Sequence, residues 1–318
     1  MRKSLSRPYI CPKCGQDYSI KEQSESKFCR KCDTRLIVWT DAGGLLAHPI
    51  EKMPKSKKSF IKQIYSNVAV VKNSPLTECD RCFAKYRFST LDDFPHKPCF
   101  PPIGSSDLAQ VLFIGTNPRC DKRKDEDFYR HALSSRENFL QFSNDGMYKD
   151  SDEEPRSLFH DPHYFLHAQC LWKVNPSWKL GQKSSVAELF MCCSESSNIF
   201  SGVHEYICAE EYLIKYMELV RPKIIVSFGS HVLKWFQNRF ANDLKGNVQY
   251  LDITGPRDYV GDPRMDTTTR LHTCFSKIRL DSRHPSEVIF SFHPKMMKDE
   301  DKEKLLRTFL FLAKNSGF

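Results

Sequence analysis

Four short apolar runs separated by amphipathic stretches constrain the fold of this chain more than any other feature. The runs are VLFIG at 111–115, VAELFM at 186–191, KIIVSF at 223–228 and VIFSF at 288–292. None of them alternates cleanly between apolar and polar residues, which is typical of parallel strands covered on both faces. Helical stretches lie at 205–220, 230–240 and 301–314. The pattern predicts an α/β fold, a three-layer αβα sandwich with a central, mainly parallel sheet of about four strands.

Two Cys-x-x-Cys pairs near the N-terminus indicate a metal site. They are Cys11 with Cys14 and Cys29 with Cys32, and 14 residues separate the pairs. Each pair can turn two thiolates toward one centre, and four thiolates make a tetrahedral zinc site. A domain of this size has little apolar core, so the metal would supply much of its folding free energy. We therefore expect a zinc ribbon over residues 1–45.

The positive charge of the chain is concentrated in its N-terminal quarter. Residues 1–75 hold 15 Lys/Arg and 6 Asp/Glu, and the rest of the chain holds 33 of each, so the net charge of +9 lies on the first segment. Such a segment suits a polyanion, and DNA or another nucleic acid is the partner we expect; the alternative is a solubilising arm. Residues 46–75 are expected to form a basic linker. Its Lys- and Pro-rich stretch 48–60 would either only connect the domains or also contact phosphates.

The composition argues against a membrane protein and against a secreted one. No stretch approaches the roughly 20 apolar residues of a membrane span, and the basic N-terminus has no apolar signal core. Thirteen cysteines without such a signal more often bind metal in a reducing compartment than form disulfides. We expect a cytoplasmic protein, with access to the nucleoid or a nucleus, that has no membrane partner and is a monomer.

Three segments beyond these runs together resemble one enzyme family. GTNP ends the first run at 115–118, CAEEYLIKYMELVRPKIIVSFGSHVLKWF spans the third, and FHPKMM ends the fourth. In this order and spacing, residues 76–318 resemble the uracil-DNA glycosylase superfamily, with 119–180 poorly matched. GTNP is similar to the version found in mismatch-specific uracil and thymine glycosylases. The resemblance implies hydrolysis of the N-glycosidic bond of a flipped uracil or related base in DNA.

The resemblance implies two catalytic residues, Asn117 and His293. Asn117 would place the attacking water, and His293 would stabilise the negative charge that develops on the departing base. The family's usual His-Pro-Ser occurs at His284, but that residue precedes the last apolar run, whereas His293 follows it. Ligands of parallel sheets bind beyond the carboxyl ends of the strands, so we expect His293 at the site.

Seven further residues are expected to bind the base or the DNA, and two of them depart from the family pattern. Arg119 stands where glycine is common and would either obstruct the DNA backbone or bind a phosphate. Glu188 stands where the iron–sulfur type has a base-reading asparagine. An ionised glutamate only accepts hydrogen bonds, so Glu188 would favour an amino-bearing base or point elsewhere. The seven residues are Gly115, Thr116, Pro118, Arg119, Glu188, Pro294 and Lys295.

A stacking platform for the base is expected in the poorly matched segment. Phe128 and Phe139 are both candidates for it, and core packing is the alternative role of either ring.

Four cysteines match the ligands of iron–sulfur members of the family. A [4Fe–4S] cluster needs four thiolates at one point, and the resemblance assigns them to Cys79, Cys82, Cys192 and Cys208. Cys193 is an alternative to Cys192. In a further alternative, Cys99 binds a zinc ion together with Cys79 and Cys82.

A second functional class stays open from the sequence alone. Because Arg119 and Glu188 both depart from the active pattern, the alternative is a catalytically inactive nucleic-acid-binding protein with a glycosylase-like fold and a zinc ribbon.

Overall fold

The structure of the chain is a computed structural model. The residues that it describes are 9–10, 17–18, 37–39, 45–46, 56–68, 101–104, 109–116, 135–148, 156–157, 159, 162–191, 206, 209–258, 273–280 and 284–318. Four short N-terminal strands are β1 (Tyr9–Ile10), β2 (Asp17–Tyr18), β3 (Ile37–Trp39) and β4 (Leu45–Leu46). They form an antiparallel sheet in the order β2-β1-β3-β4.

A seven-stranded sheet forms the centre of the described chain from residue 101 onward. The strands of this part are β5 (Val111–Gly115), β6 (Met147–Tyr148), β7 (Arg156–Ser157), β8 (Ser184–Glu188), β9 (Ile224–Phe228), β10 (Gln249–Asp252), β11 (Gly255–Asp258), β12 (Cys274–Arg279) and β13 (Pro285–Ser291). Strands β6 and β7 pair with each other. The other seven lie in the order β11-β10-β12-β13-β9-β5-β8.

The four apolar runs predicted as parallel strands are β5, β8, β9 and β13, and they are parallel neighbours. The sheet nevertheless has three more strands than expected, because β12, β10 and β11 extend it in antiparallel fashion. These strands carry exposed residues, such as Lys277 and Arg279 on β12. Continuous apolar runs are typical of strands covered on both faces, whereas strands with a solvent-facing side lack such runs.

Seven α-helices occur in the described part of the chain. They are α1 (Lys57–Val68), α2 (Arg136–Asp145), α3 (Phe165–Val174), α4 (Ile214–Val220), α5 (Ser230–Arg239), α6 (Ala241–Leu244) and α7 (Asp299–Asn315). Short 3₁₀ turns at Pro162–Tyr164 and Pro294–Met296 precede α3 and α7, and a π turn at Ala209–Leu213 leads into α4. None of the described helices is long and apolar enough to cross a bilayer.

Buried side chains form two clusters on the two sides of the central sheet. Leu112 and Ile114 of β5 belong to the cluster that contains residues of α1, α2, α4 and α5. Val111 and Phe113 belong to the other, with α3 and α7. This alternation follows from the two-residue period of a strand. Each fully buried large apolar side chain contributes about 1.5–3 kcal/mol to stability.

Part of the segment expected to be a linker is a core helix. Phe60, Ile61 and Ile64 of α1 are buried and share one face of the helix. Lys57, at the start of α1, is also buried, and its Nζ donates to the carbonyl oxygen of Ser143 at 2.8 Å. A cation stabilises the last turn of a helix, here α2. The lysine-rich stretch 48–60 thus contributes to packing within residues 56–60, which charge alone did not indicate.

Candidate functional site

The parallel strands β8, β5, β9 and β13 end at one side of the sheet, which we call the carboxyl edge. Gly115 of β5 is in register with Glu188 of β8. Phe228 of β9 is in register with Ser291 of β13. Parallel strands in register have their carboxyl ends side by side. The carboxyl edge therefore has the position where ligands bind in sheets of this type.

The predicted catalytic segments both extend from this edge. Asn117, Pro118 and Arg119 lie outside the described residues, but Gly115 and Thr116 immediately before them are at the end of β5. His293 follows the last residue of β13 by two positions. In the order β13-β9-β5, two strand spacings of about 4.8 Å separate the two strand ends. The two strand ends are therefore about 10 Å apart, with the end of β9 and Gly229 between them.

Gly229 lies between these two strand ends, at the carboxyl end of β9. Its N–H donates to the carbonyl oxygen of Ser291 at 3.0 Å. A Cβ on Gly229 would lie 3.0 Å from Thr116 Oγ1, and its φ of 96° is in the region that favours glycine. The missing side chain leaves space between Thr116 and β13. Gly229 also caps α5, whose first N–H groups carry partial positive charge at this edge.

His293 has a defined hydrogen bond that sets its tautomer. The Lys295 N–H donates to His293 Nδ1 at 3.3 Å, within the turn that begins at Pro294. Since Nδ1 accepts, the proton of the neutral ring is on Nε2. Lys295 is exposed beside it. In this tautomer the N–H donor of the ring is at Nε2.

His284 lies at the opposite side of the sheet, the amino edge, as expected from its place before β13. It directly precedes Pro285, the first residue of β13. Its Nε2 is 3.4 Å from Arg221 Nη1. A cavity of about 380 Å³ also lies at the amino edge, lined in part by Arg239, Asp243 and Arg279. The Arg279 guanidinium there pairs with Asp243 at 3.3 Å.

Glu188 carries a buried carboxyl group at the carboxyl edge. The residue is half-buried, but its Oε2 atom is sealed from solvent and has no hydrogen-bond partner among the described residues. A Cβ on Gly115 would lie 2.9 Å from the Glu188 Cδ, so the glycine permits this close approach. Burial raises the pKa of Glu188 from 4.5 to about 8. Desolvation thus favours the neutral acid over the ionised form.

The sequence interpretation missed a histidine on the same face of the sheet. His167 of α3 is buried, and its ring lies 4.7 Å from that of Phe113 and 4.9 Å from that of Phe228. Tyr164 packs beside it at 5.2 Å. The segment HYFLHAQCLW gave no clear period because a 3₁₀ turn interrupts it before α3 begins.

Phe139 is not a stacking platform. It is fully buried in the cluster with α1 and α2, on the opposite face of the sheet from Val111 and Phe113. Residues of β5 alternate between faces, so Gly115 lies on the Phe113 side and Phe139 on the other. Phe128 lies outside the described residues.

All the cysteines predicted to bind metal lie outside the described residues. They are Cys11, Cys14, Cys29, Cys32, Cys79, Cys82, Cys192 and Cys208, together with the alternatives Cys99 and Cys193. Among the residues that are described, no group of three or more His, Cys, Asp and Glu side chains could hold a metal ion. The described thiols, Cys170 and Cys274, are buried, and burial raises the pKa of both. Such thiols are inert packing residues.

No protein-family model and no curated protein matches this chain. Three polar groups of the described residues lie along the carboxyl edge. These are the imidazole of His293, the Glu188 carboxyl group, whose pKa burial raises to about 8, and the N-terminus of α5 at Gly229. Hydrogen-bond donors and helix N-termini can stabilise negative charge that develops on a bound group.

Proposed function

We propose that the chain is a DNA glycosylase that hydrolyses the N-glycosidic bond of a flipped uracil or related base. One observation carries the proposal: the end of β5 before Asn117, the Glu188 carboxyl group and His293 belong to the same edge of the sheet. A flipped base needs a narrow site with polar groups around its rim. Such a site would have to lie beyond the strand ends, above Gly229 at the end of β9.

In this mechanism Asn117 orients the attacking water and His293 stabilises the leaving base. Breaking the bond leaves negative charge on the base, and His293 Nε2–H would donate to the base oxygen that receives it. The N-terminus of α5 at Gly229 adds positive potential at the same place. Such a donor contributes about 3–4 kcal/mol to catalysis where water is excluded. His293 is exposed in the unbound chain, so the bound base would have to cover it. Gly115, Thr116 and Pro118 shape the loop that carries Asn117.

DNA is the proposed polyanionic partner of a protein that is monomeric and cytoplasmic. Pro294 would bend the chain over the DNA backbone, and the exposed Lys295 would meet a phosphate. Arg119 would bind a second phosphate. The basic residues 1–75 would add contacts, which makes the affinity fall with salt. The helical clusters on both sides of the central sheet support a three-layer sandwich.

A zinc ribbon at residues 1–45 is part of the proposal. Strand β1 ends at Ile10, which is in register with Asp17 at the start of β2 and with Ile37 at the start of β3. These three strand ends lie at one end of the small sheet. The first cysteine pair connects β1 to β2, and the second precedes β3 along the chain. This topology favours four thiolates around one zinc ion.

An iron–sulfur cluster held by Cys79, Cys82, Cys192 and Cys208 is the second proposed metal group. The Phe190 and Tyr206 rings lie 5.8 Å apart. Each of these residues precedes one of the last two proposed ligands by two positions, so the contact brings both segments together. The cluster would brace the loops at the carboxyl edge and take no part in redox chemistry. A brown protein with visible absorbance, and iron as well as zinc in metal analysis, would support the assignment; colourless protein with full metal occupancy would contradict it.

The proposed activity is tested by incubating the purified chain with oligonucleotides that contain uracil, hypoxanthine, xanthine or mismatched thymine. Alkali converts each abasic site into a strand break. We expect strand breaks with at least one of these bases, and their loss in Asn117→Ala. DNA binding without strand breaks for any of the four would overturn the enzyme.

That outcome would favour the second candidate, a catalytically inactive nucleic-acid-binding protein with the same fold and zinc ribbon. Arg119 supports this candidate, because a bulky side chain stands where the family commonly has glycine.

A further inference from the structure

The carboxyl group of Glu188 lies at the carboxyl edge, at a position where the sequence predicts a contact with the base. Its Oε2 atom is buried without a hydrogen-bond partner among the described residues, and the carboxyl group lies against Gly115, where any side chain would collide with it. Buried polar atoms are normally satisfied, so an unsatisfied one at a site asks for a ligand. An apolar residue would avoid this cost if the position served packing alone.

Resting on the proposed function, we propose that Glu188 reads the base as a neutral carboxylic acid and that its proton sets base selectivity. With the proton, Glu188 presents an O–H donor and a C=O acceptor. These complement adjacent carbonyl and N–H groups on a ring, as in uracil or hypoxanthine. Without the proton, Glu188 only accepts and repels a ring carbonyl. The site then favours bases with an exocyclic amino group.

The surroundings of Glu188 support a neutral acid at physiological pH. Burial is the cause of its pKa of about 8. Among the described residues, the titratable side chains packed in the buried cluster on this face of the sheet are Tyr164, His167 and Cys170. Lys173 of α3 is exposed, and the charged side chains of α7 lie on a helix that contacts β13 and β10. The neighbouring residues on β5, Gly115 and Thr116, carry no charge, so the proton on Glu188 has no described cation to replace it.

The experiment measures equilibrium binding of free uracil and free cytosine to the full chain between pH 6 and pH 9. The matched variant is Glu188→Gln, which keeps a donor and an acceptor of the same shape but cannot titrate. We expect the wild type to prefer uracil at pH 6 and to lose about tenfold in uracil affinity by pH 9, because about one tenth of the acid stays protonated one unit above its pKa. Glu188→Gln should keep uracil binding without this loss. Ionisation of uracil itself affects both proteins equally and cancels in the comparison.

Identical pH profiles in the two proteins, a preference for cytosine at pH 6, or no binding of either base would overturn the inference. A measurement without ligand keeps it testable: the infrared difference between wild type and Glu188→Gln should show a protonated carboxyl band at pH 6 that disappears above pH 8. Absence of that band at pH 6 also contradicts it. Proton-linked uracil binding without strand breaks would contradict only the proposed glycosylase activity. Strand breaks together with equal pH profiles in the two proteins would contradict only the proposed role of Glu188.

Discussion

The two edges of the parallel sheet differ in how their polar groups are satisfied. At the amino edge, Lys223 Nζ donates to the carbonyl oxygens of Ser316 and Gly317, at 3.1 and 3.2 Å, and lies over the Phe318 ring. The Ser286 hydroxyl donates to the Pro222 carbonyl oxygen at 2.6 Å. At the carboxyl edge, the buried Glu188 Oε2 has no partner among the described residues.

This difference distinguishes an edge whose polar groups are satisfied within the chain from an edge that retains an unsatisfied acid. Hydrogen bonds at the amino edge tie the C-terminal segment to the start of β9 and join the start of β13 to Pro222, just before β9. The carboxyl edge instead keeps a desolvated acid packed against Gly115, and a second glycine, Gly229, beside Thr116. Such features reduce stability, and proteins retain them where a ligand compensates. Three comparisons between variants test this contrast.

The largest effect is expected from the two histidines that are followed by proline. His293→Ala removes a donor at the carboxyl edge and should lower the rate of strand-break formation by about 100- to 1,000-fold. His284→Ala is the matched control at the amino edge and should leave the rate within about twofold, since surface changes away from a site have small effects. Single-turnover kinetics on the uracil oligonucleotide measure both. Equal losses in the two variants would remove the functional difference between the edges.

The second effect concerns stability and pH at Glu188. Its folded-state pKa of about 8 lies above the ordinary 4.5, so between these values the folded state holds a proton that the unfolded state releases. The free energy of unfolding therefore falls as the pH rises through this window. The loss is about 3 kcal/mol from about pH 5 to about pH 7.5. Urea unfolding of Glu188→Gln should lack this component, and parallel pH curves for the two proteins would show that the acid is ionised.

The smallest effect compares two serines at the ends of β13. Ser286→Ala leaves the Pro222 carbonyl oxygen without its donor and should lower the free energy of unfolding by about 1 kcal/mol. Ser291→Ala should cost less, because its hydroxyl makes only a long contact of 3.4 Å with the Thr273 hydroxyl. Urea midpoints at constant slope report the difference. A larger loss at Ser291 would mean that the carboxyl edge is the more tightly held one.

The alternation of apolar runs and helical stretches in the sequence predicted the parallel strands of the sheet and the helices between them. The runs at 111–115 and 223–228 are apolar throughout because both faces of β5 and β9 are covered, so hydrophobicity alone identifies them. The strands β10 and β11 are half-buried or exposed and carry no comparable signal. Likewise, the positive charge of residues 46–75 predicted a linker and gave no sign of α1. The buried Lys57 binds the carbonyl oxygen of Ser143, which is 86 positions away, so its burial depends on a distant part of the chain.

The placement of His293 rather than His284 beyond a strand end could be predicted, because it depends only on which side of an apolar run each residue occupies. The protonation of Glu188 could not. The sequence does not reveal whether a glutamate is exposed or buried, and the pKa of the side chain depends on desolvation by residues distant in the chain. The sequence thus specifies which residues follow each strand. The tertiary structure determines how strongly each side chain is desolvated and which residues contact it, as Gly115 contacts Glu188.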